Sequence, residues 1–127
     1  MAILGAHHVA LICSDYRRSK RFYTEVLGAE ILCETWRARR LSHKLDLRLG
    51  NIQLELFSFP EPPPRPTRPE ACGLRHLALA VDNLDQTIAD LASHGVPVEP
   101  VRVDEITARR FTFFQDPDGL PLELYEL

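Results

Sequence analysis

Two histidines and two glutamates recur at one spacing in this chain of 127 residues. His8 opens the run His-Val-Ala-Leu-Ile, and His76 opens His-Leu-Ala-Leu-Ala 68 residues later. Glu55 lies in Leu-Glu-Leu-Phe and Glu123 in Leu-Glu-Leu-Tyr, again 68 residues apart. One short apolar match can arise by chance. Two in the same register, each carrying a group able to ligate a metal, point to a duplicated module. Two imidazole nitrogens and two carboxylate oxygens suit a divalent ion such as Ni²⁺, Co²⁺, Zn²⁺, Fe²⁺ or Mn²⁺. In six-coordination they leave two positions free, and two adjacent free positions accept neighbouring oxygens of one substrate. The expected centre is one divalent metal ion per site, with His8, Glu55, His76 and Glu123 as ligands.

The elements that must position these groups have the same order in both halves. His8 to Cys13 reads as a strand, and Ser14 or Asp15 can cap a helix that carries Phe22, Tyr23, Val26 and Leu27 and stops at Gly28. Strands are expected at 30–36, 45–49 and 52–57. In the second half, 76–81 is a strand. Asp82 or Asn83 caps a helix with Leu84, Ile88, Leu91 and Ala92 at helical spacing, closed by Gly95. Strands follow at 96–103, 111–114 and 120–125, the last two joined by the turn signal Asp116-Pro117-Asp118-Gly119. The predicted class is α+β: two βαβββ modules, residues 5–59 and 73–127, in a single domain. Between them, residues 60–69 hold six prolines, which exclude helix and favour an extended spacer.

Strand side chains alternate between faces, so parity sorts the residues of each strand. Leu120, Leu122 and Leu124 share a face that suits packing under a helix, and Glu123 points the other way. Ile52, Leu54 and Leu56 stand in the same relation to Glu55. His76, Ala78 and Ala80 lie opposite Leu77, Leu79 and Val81, where small residues leave room. His8 and Ala10 match them, which separates His8 from His7. The same rule puts Lys44, Asp46 and Arg48 on the ligand face of their strand. In 110–114 it assigns Arg110, Thr112 and Phe114 to the cavity and the apolar pair Phe111 and Phe113 to the helix side. Lys44, Asp46, Arg48, Arg110 and Phe114 are therefore the candidate substrate contacts, and they imply a polar, anionic small molecule. His94 precedes Gly95 at a helix C-terminus, where it favours the dipole. Arg37, Arg39 and Arg40 read as a solvated loop.

Composition narrows the function classes. The chain is 45% hydrophobic and 26% charged with a net charge of −3, so it can bury a core but offers no basic stripe for nucleic acid. No apolar run approaches the roughly 20 residues needed to cross a bilayer. The start of the chain reads as a strand rather than a signal peptide, so a cytoplasmic location is expected. Cys13, Cys33 and Cys72 are odd in number and widely spaced, which argues for reduced thiols rather than a disulfide frame.

With these residues in view, the sequence resembles the vicinal oxygen chelate superfamily, which includes glyoxalase I, bleomycin- and fosfomycin-resistance proteins and extradiol dioxygenases. The likeness covers nearly the whole chain. It rests on His8-Val9-Ala10-Leu11, Ser14-Asp15 with Phe22-Tyr23 and Leu27-Gly28, His76-Leu77-Ala78, and Phe114-Gln115-Asp116-Pro117-Asp118-Gly119 running into Leu122-Glu123-Leu124. The runs 55–60, 68–76 and 110–114 are similar to the YaeR-like branch. The resemblance implies a metal-dependent glyoxalase I-like lyase or isomerase acting on a small α-oxo substrate, such as the hemithioacetal of a thiol. Glu123 or Glu55 would be the base that moves the proton. Ile12 stands where the bacterial enzyme carries an arginine, so this strand does not speak for glutathione. Two alternatives stay open. One is another metal-dependent enzyme of the fold, such as a dioxygenase, thiol transferase or epimerase. The other is a non-catalytic protein that sequesters a ligand. The stiff spacer and the concave sheets also lead to an expected homodimer with sites shared between chains.

Overall fold

Alternating leucines set the strands of both halves. A computed structural model describes residues 1–127, and it divides into two compact units, 1–64 and 65–127, with the boundary inside the proline-rich segment. In the first unit the elements are β1 (Val9–Cys13), α1 (Tyr16–Arg21), β2 (Glu30–Arg37), β3 (Ser42–Leu49) and β4 (Ile52–Ser58). In the second they are β5 (Leu77–Val81), α2 (Leu84–Ser93), β6 (Arg102–Val103), β7 (Arg110–Gln115) and β8 (Pro121–Glu126). Each is a βαβββ module. The sheet orders are β1-β4-β3-β2 and β5-β8-β7-β6, with the first and last strands of each module parallel and the other pairs antiparallel.

The caps fall on one of each predicted pair. Asp15 accepts the Arg18 N–H at 3.1 Å, and Asn83 accepts the Gln86 N–H at 3.0 Å. Gly28 and Gly95 take φ of 77° and 73°, the left-handed geometry that ends a helix without a Cβ penalty. One feature was not foreseen. After α1 the chain widens into a π-helical turn, Phe22–Val26, which buries the adjacent rings of Phe22 and Tyr23 edge to face. The helices cover the leucine faces. Leu11, Leu45, Leu47, Leu54 and Leu56 are buried in module one, and Leu84, Leu91, Leu122 and Leu124 in module two. His94 accepts the expected helix-end role, its Nδ1 lying 2.9 Å from the Asp90 carbonyl.

Two expectations are corrected here. The strand expected at 96–103 shrinks to Arg102–Val103. Pro97 and Pro100 lack the N–H that a ladder needs, and Glu99 makes a single backbone bond to β7, its N–H to the Phe113 carbonyl at 2.9 Å. Arg37 is not a loop residue either. It closes β2, with its guanidinium 4.7 Å from the Phe57 ring centre and its Nη2 donating to Ser42.

A polar clamp locks α2 to its sheet. Glu126 accepts the Leu84 N–H at 2.8 Å and pairs with Arg110 at 3.0 Å, and Arg110 also grips Asp85 through two bonds. The Arg110 guanidinium, with help from that N–H, holds the Glu126 carboxyl below the usual carboxylate range. A carboxyl depressed in the folded state contributes stability above its unfolded pKa and loses it as pH falls through the folded value. Glu34 and Asp104 are depressed as well, by Lys20 and by the Ile106 N–H first. Glu126→Gln is therefore expected to make the acid limb of a stability-against-pH profile shallower below about pH 5. An acid limb identical to wild type overturns this.

Candidate metal centre

Each module brings one imidazole and one carboxylate together across its parallel strand pair. Ala10 lies opposite Glu55 in the β1–β4 register, and Ala78 lies opposite Glu123 in β5–β8. The histidines stand two residues before these alanines, on the same face. His8 Nε2 is 3.5 Å from Glu55 Oε1, and His76 Nε2 is 3.0 Å from Glu123 Oε2. Two donors about 2.1 Å from a shared ion lie about 3.0 Å apart at right angles and about 3.4 Å apart at the tetrahedral angle, so both pairs are near the bite of metal ligands. Borderline nitrogen and hard oxygen donors also match the expected divalent ion. Within either module the set stops at that pair. No group of three or more His, Cys, Asp or Glu side chains converges on one point.

The surroundings of the two pairs differ. In module one, Glu55 is buried and its Oε2 accepts from Gln53 at 3.3 Å. Lys44 Nζ lies 3.6 Å from Glu55 and 3.4 Å from Asp46, which stands opposite Glu55 in the ladder. Arg48 stands opposite Gln53 on the same face and is exposed. Lys44, Asp46 and Arg48 thus occupy the face expected from parity. Asp46 Oδ1 is buried without a hydrogen bond. In module two the residue opposite Glu123 is Phe113, whose ring meets His76 edge to face at 5.0 Å.

That register reverses the expectation for β7. Phe111 and Phe113 lie on the ligand face, whereas Thr112 and Phe114 are buried on the helix side. Arg110 belongs to the α2 clamp, and Thr112 donates to the Glu99 carbonyl at 2.7 Å. Arg110 therefore does not project its side chain with Glu123, and Phe114, although it lines the module-two cavity, is buried on the opposite face of β7 from Phe113. The physical reason is that polar groups can be buried when every one finds a partner, and that the phenylalanines carry a guanidinium on their other side. The signal was present in the hairpin. The turn residues Asp116–Gly119 set Gln115 opposite Pro121, and counting back places Phe113 opposite Glu123.

A cavity of about 1040 Å³ lies in module two, and its walls include His76, Glu123, Phe111, Phe113 and Arg102. Tyr125 closes one side, donating to Asp104 at 3.1 Å and bonding Thr107, which ties the 104–109 loop to β8. His43 takes no part in either pair. It stacks on Tyr16 at 4.0 Å and touches Trp36.

Comparison with known proteins agrees with this fold. A family model described as the glyoxalase/bleomycin resistance protein/dioxygenase superfamily matches residues 5–124. The chain is 59% identical to the uncharacterized protein YaeR of Escherichia coli (strain K12), over 99% of this chain and 98% of that protein. It is 56% identical to the uncharacterized protein YwkD of Bacillus subtilis (strain 168), over 99% of both. A 2-epi-5-epi-valiolone epimerase of Actinomyces sp. is 33% identical, over 98% of this chain and 80% of the epimerase. The crystal structure of a glyoxalase family protein from Enterococcus faecalis superposes with a TM-score of 0.92 at 49% identity, covering 99% of this chain and 100% of that one. The fold, though at only 17% identity, is also that of a fosfomycin resistance protein, FosX of Listeria monocytogenes, solved with Mn(II). That alignment has a TM-score of 0.74 and covers 98% of this chain and 90% of the other. The chain belongs to the glyoxalase/bleomycin resistance protein/dioxygenase superfamily.

Proposed function

We propose that this protein is a metal-dependent enzyme that moves a proton on a small substrate with two neighbouring oxygens, as a glyoxalase I-like lyase does. The observation that carries the reading is the repetition of one imidazole–carboxylate pair at equivalent positions of both modules. Each pair is half of a ligand set, and His8, Glu55, His76 and Glu123 together hold one divalent ion. A divalent ion there supplies Lewis acidity that polarises substrate oxygens and acidifies the adjacent C–H. The Mn(II) in the FosX structure supports a divalent metal of this kind.

The residues of the chain do the rest. Glu123 or Glu55 takes the proton from one carbon and returns it to the next, because these are the carboxylates beside the imidazoles. Lys44 and Gln53 orient Glu55, while Phe113 keeps water from one side of His76. Ala10 and Ala78, small and exposed, leave space in front of the glutamates for the reacting carbons. A second reading, an epimerase, is favoured by the Actinomyces relative. It shares the same proton abstraction and differs only in where the proton returns.

Protein reconstituted with Ni²⁺, Co²⁺, Zn²⁺, Fe²⁺ or Mn²⁺ is expected to retain one ion per complete ligand set, and a His8→Ala/His76→Ala double variant none. Hemithioacetals of an α-oxoaldehyde with several thiols should then isomerise, with solvent deuterium entering the product. Glu123→Gln or Glu55→Gln should lower turnover about 10²- to 10⁴-fold while metal is kept. A Gln variant that keeps metal and full turnover excludes that glutamate. Wild type holding no more metal than the double variant sinks the proposal.

The reading includes a homodimer in which module one of one chain and module two of another complete each ligand set. The six prolines of the stiff segment support it, since they discourage direct pairing of modules from one chain.

A further inference from the structure

Four guanidinium groups line the cavity of module two, beside the carboxyls of Glu70, Glu99, Asp104, Glu105 and Glu123. Arg65, Arg68, Arg75 and Arg102 all line it, on the same wall system as His76 and Glu123. Arg75 is committed, its Nε donating to Glu70 at 2.7 Å. Arg65 is anchored but not saturated. Its Nη2 donates to the carbonyls of Leu74 and Arg75 at 2.9 and 3.2 Å, while its Nε is buried and finds no acceptor. A buried donor left without an acceptor is costly, so Arg65 keeps hydrogen-bonding capacity that its own surroundings do not use.

Arg102 is placed differently. Its guanidinium carbon stands 5.2 Å from the centre of the Phe111 ring and 5.4 Å from that of Phe113. The two rings stand at 90° to each other, so the cation sits in an aromatic corner, and such contacts consume none of its N–H donors. One of them, Nη2, meets Glu99 at only 3.5 Å, a long and partly exposed pairing that competes weakly. The acidic groups nearest the reacting end are otherwise occupied, Glu123 by His76 and Asp104 by the Ile106 N–H and Tyr125.

Phe113 joins the two parts of the cavity. One side of its ring meets His76 at 5.0 Å and Arg102 lies 5.4 Å from its centre, so Arg102 is no more than about 10 Å from the His76 ring. A planar fork of donors seated on aromatic rings matches a planar or tetrahedral oxyanion better than it matches a neutral hydroxyl.

We propose that Arg102, seated on Phe111 and Phe113 within about 10 Å of the His76 ring, with Arg65 on the wall of the same cavity, binds an oxyanion group of the substrate, a carboxylate or a phosphate. The inference rests on the reading of His76 and Glu123 as half of the metal set. It names the substrate class as a small acid rather than a neutral oxo compound, and Arg102 as the residue that selects it.

The test uses malonate and inorganic phosphate as probes, titrated against metal-free protein and followed by calorimetry and by NMR of the arginine Nε–H signals. Saturable binding with movement of the Arg102 signal is expected for at least one probe, and the tighter of the two identifies the acid class. Arg102→Gln is expected to weaken binding about 10-fold or more, and Arg102→Lys to restore little, because an ammonium lacks the fork. Arg17→Gln, on α1 of module one, should leave it unchanged. Binding that does not saturate overturns the proposal, as does equal weakening by Arg17→Gln and Arg102→Gln. Metal retention is measured on the same samples. Protein that retains metal but binds neither probe overturns this proposal alone. Protein that binds a probe through Arg102 but retains no metal overturns the metal reading and upholds the anion site.

Discussion

Mixing His8→Ala chains with His76→Ala chains is expected to restore metal retention that neither possesses alone. In a shared-site dimer, a mixed pair contains one set with both defects and one set with none. After free exchange of equal amounts, half of the dimers are mixed, so the sample should hold about a quarter of the wild-type metal. Removing a single ligand from a four-donor set costs more than disturbing an outer partner, itself worth roughly 10- to 100-fold in affinity. Either parent variant should therefore lie near zero under conditions that saturate wild type, and the rise on mixing should be large. Glu123→Ala in place of His76→Ala should behave alike, since Glu123 and His76 belong to one pair. Heterodimers verified by mass spectrometry that hold no metal tightly, beside wild type that does, would show that the site forms within one chain.

The second large effect concerns the scaffold. Leu54 is fully buried, faces Leu47 across the ladder and precedes Glu55. Leu54→Ala removes packing on the helix side and leaves a cavity, at an expected cost of about 2–5 kcal/mol. For a chain of this size that lowers Tm by roughly 10–20 °C. Ile12 is just as apolar but 58% exposed. Ile12→Ala should stay within about 0.5 kcal/mol of wild type. Thermal unfolding of both variants checks the pair, and equal losses would mean that the leucine faces are not the core.

Much of this was readable before the fold was known, and the exceptions are instructive. The repeat located both histidine–glutamate pairs because duplication keeps register, and parity needs only a strand and its direction. Lys44 and Asp46 fell on the ligand face for the same reason. In β7 the alternation holds, but hydrophobicity does not decide which face is which. There, Arg110 and Thr112 turn toward the helix because Glu126, Asp85 and the Glu99 carbonyl satisfy them. Phe111 and Phe113 turn to the face of His76 and Glu123, beneath Arg102. Arg102 itself carried no local signal. Its role depends on a two-residue strand that two prolines shorten, and on a register set by a turn farther along the chain. The π-helical turn was equally silent, since Phe22 and Tyr23 also fit an ordinary helix.

The parallel pairing of first and last strands has a consequence for how the protein is made. His8 and Glu55 are 47 residues apart, and so are His76 and Glu123, because each pair spans β1–β4 or β5–β8. Neither pair can assemble until the final strand of its module has left the ribosome and closed a loop of nearly the whole module, the slowest kind of contact to form. Until that strand arrives, a growing module carries its histidine and its glutamate apart. Each imidazole–carboxylate pair therefore forms in the same step that closes its sheet, because β4 and β8 are the strands that join β1 to β3 and β5 to β7.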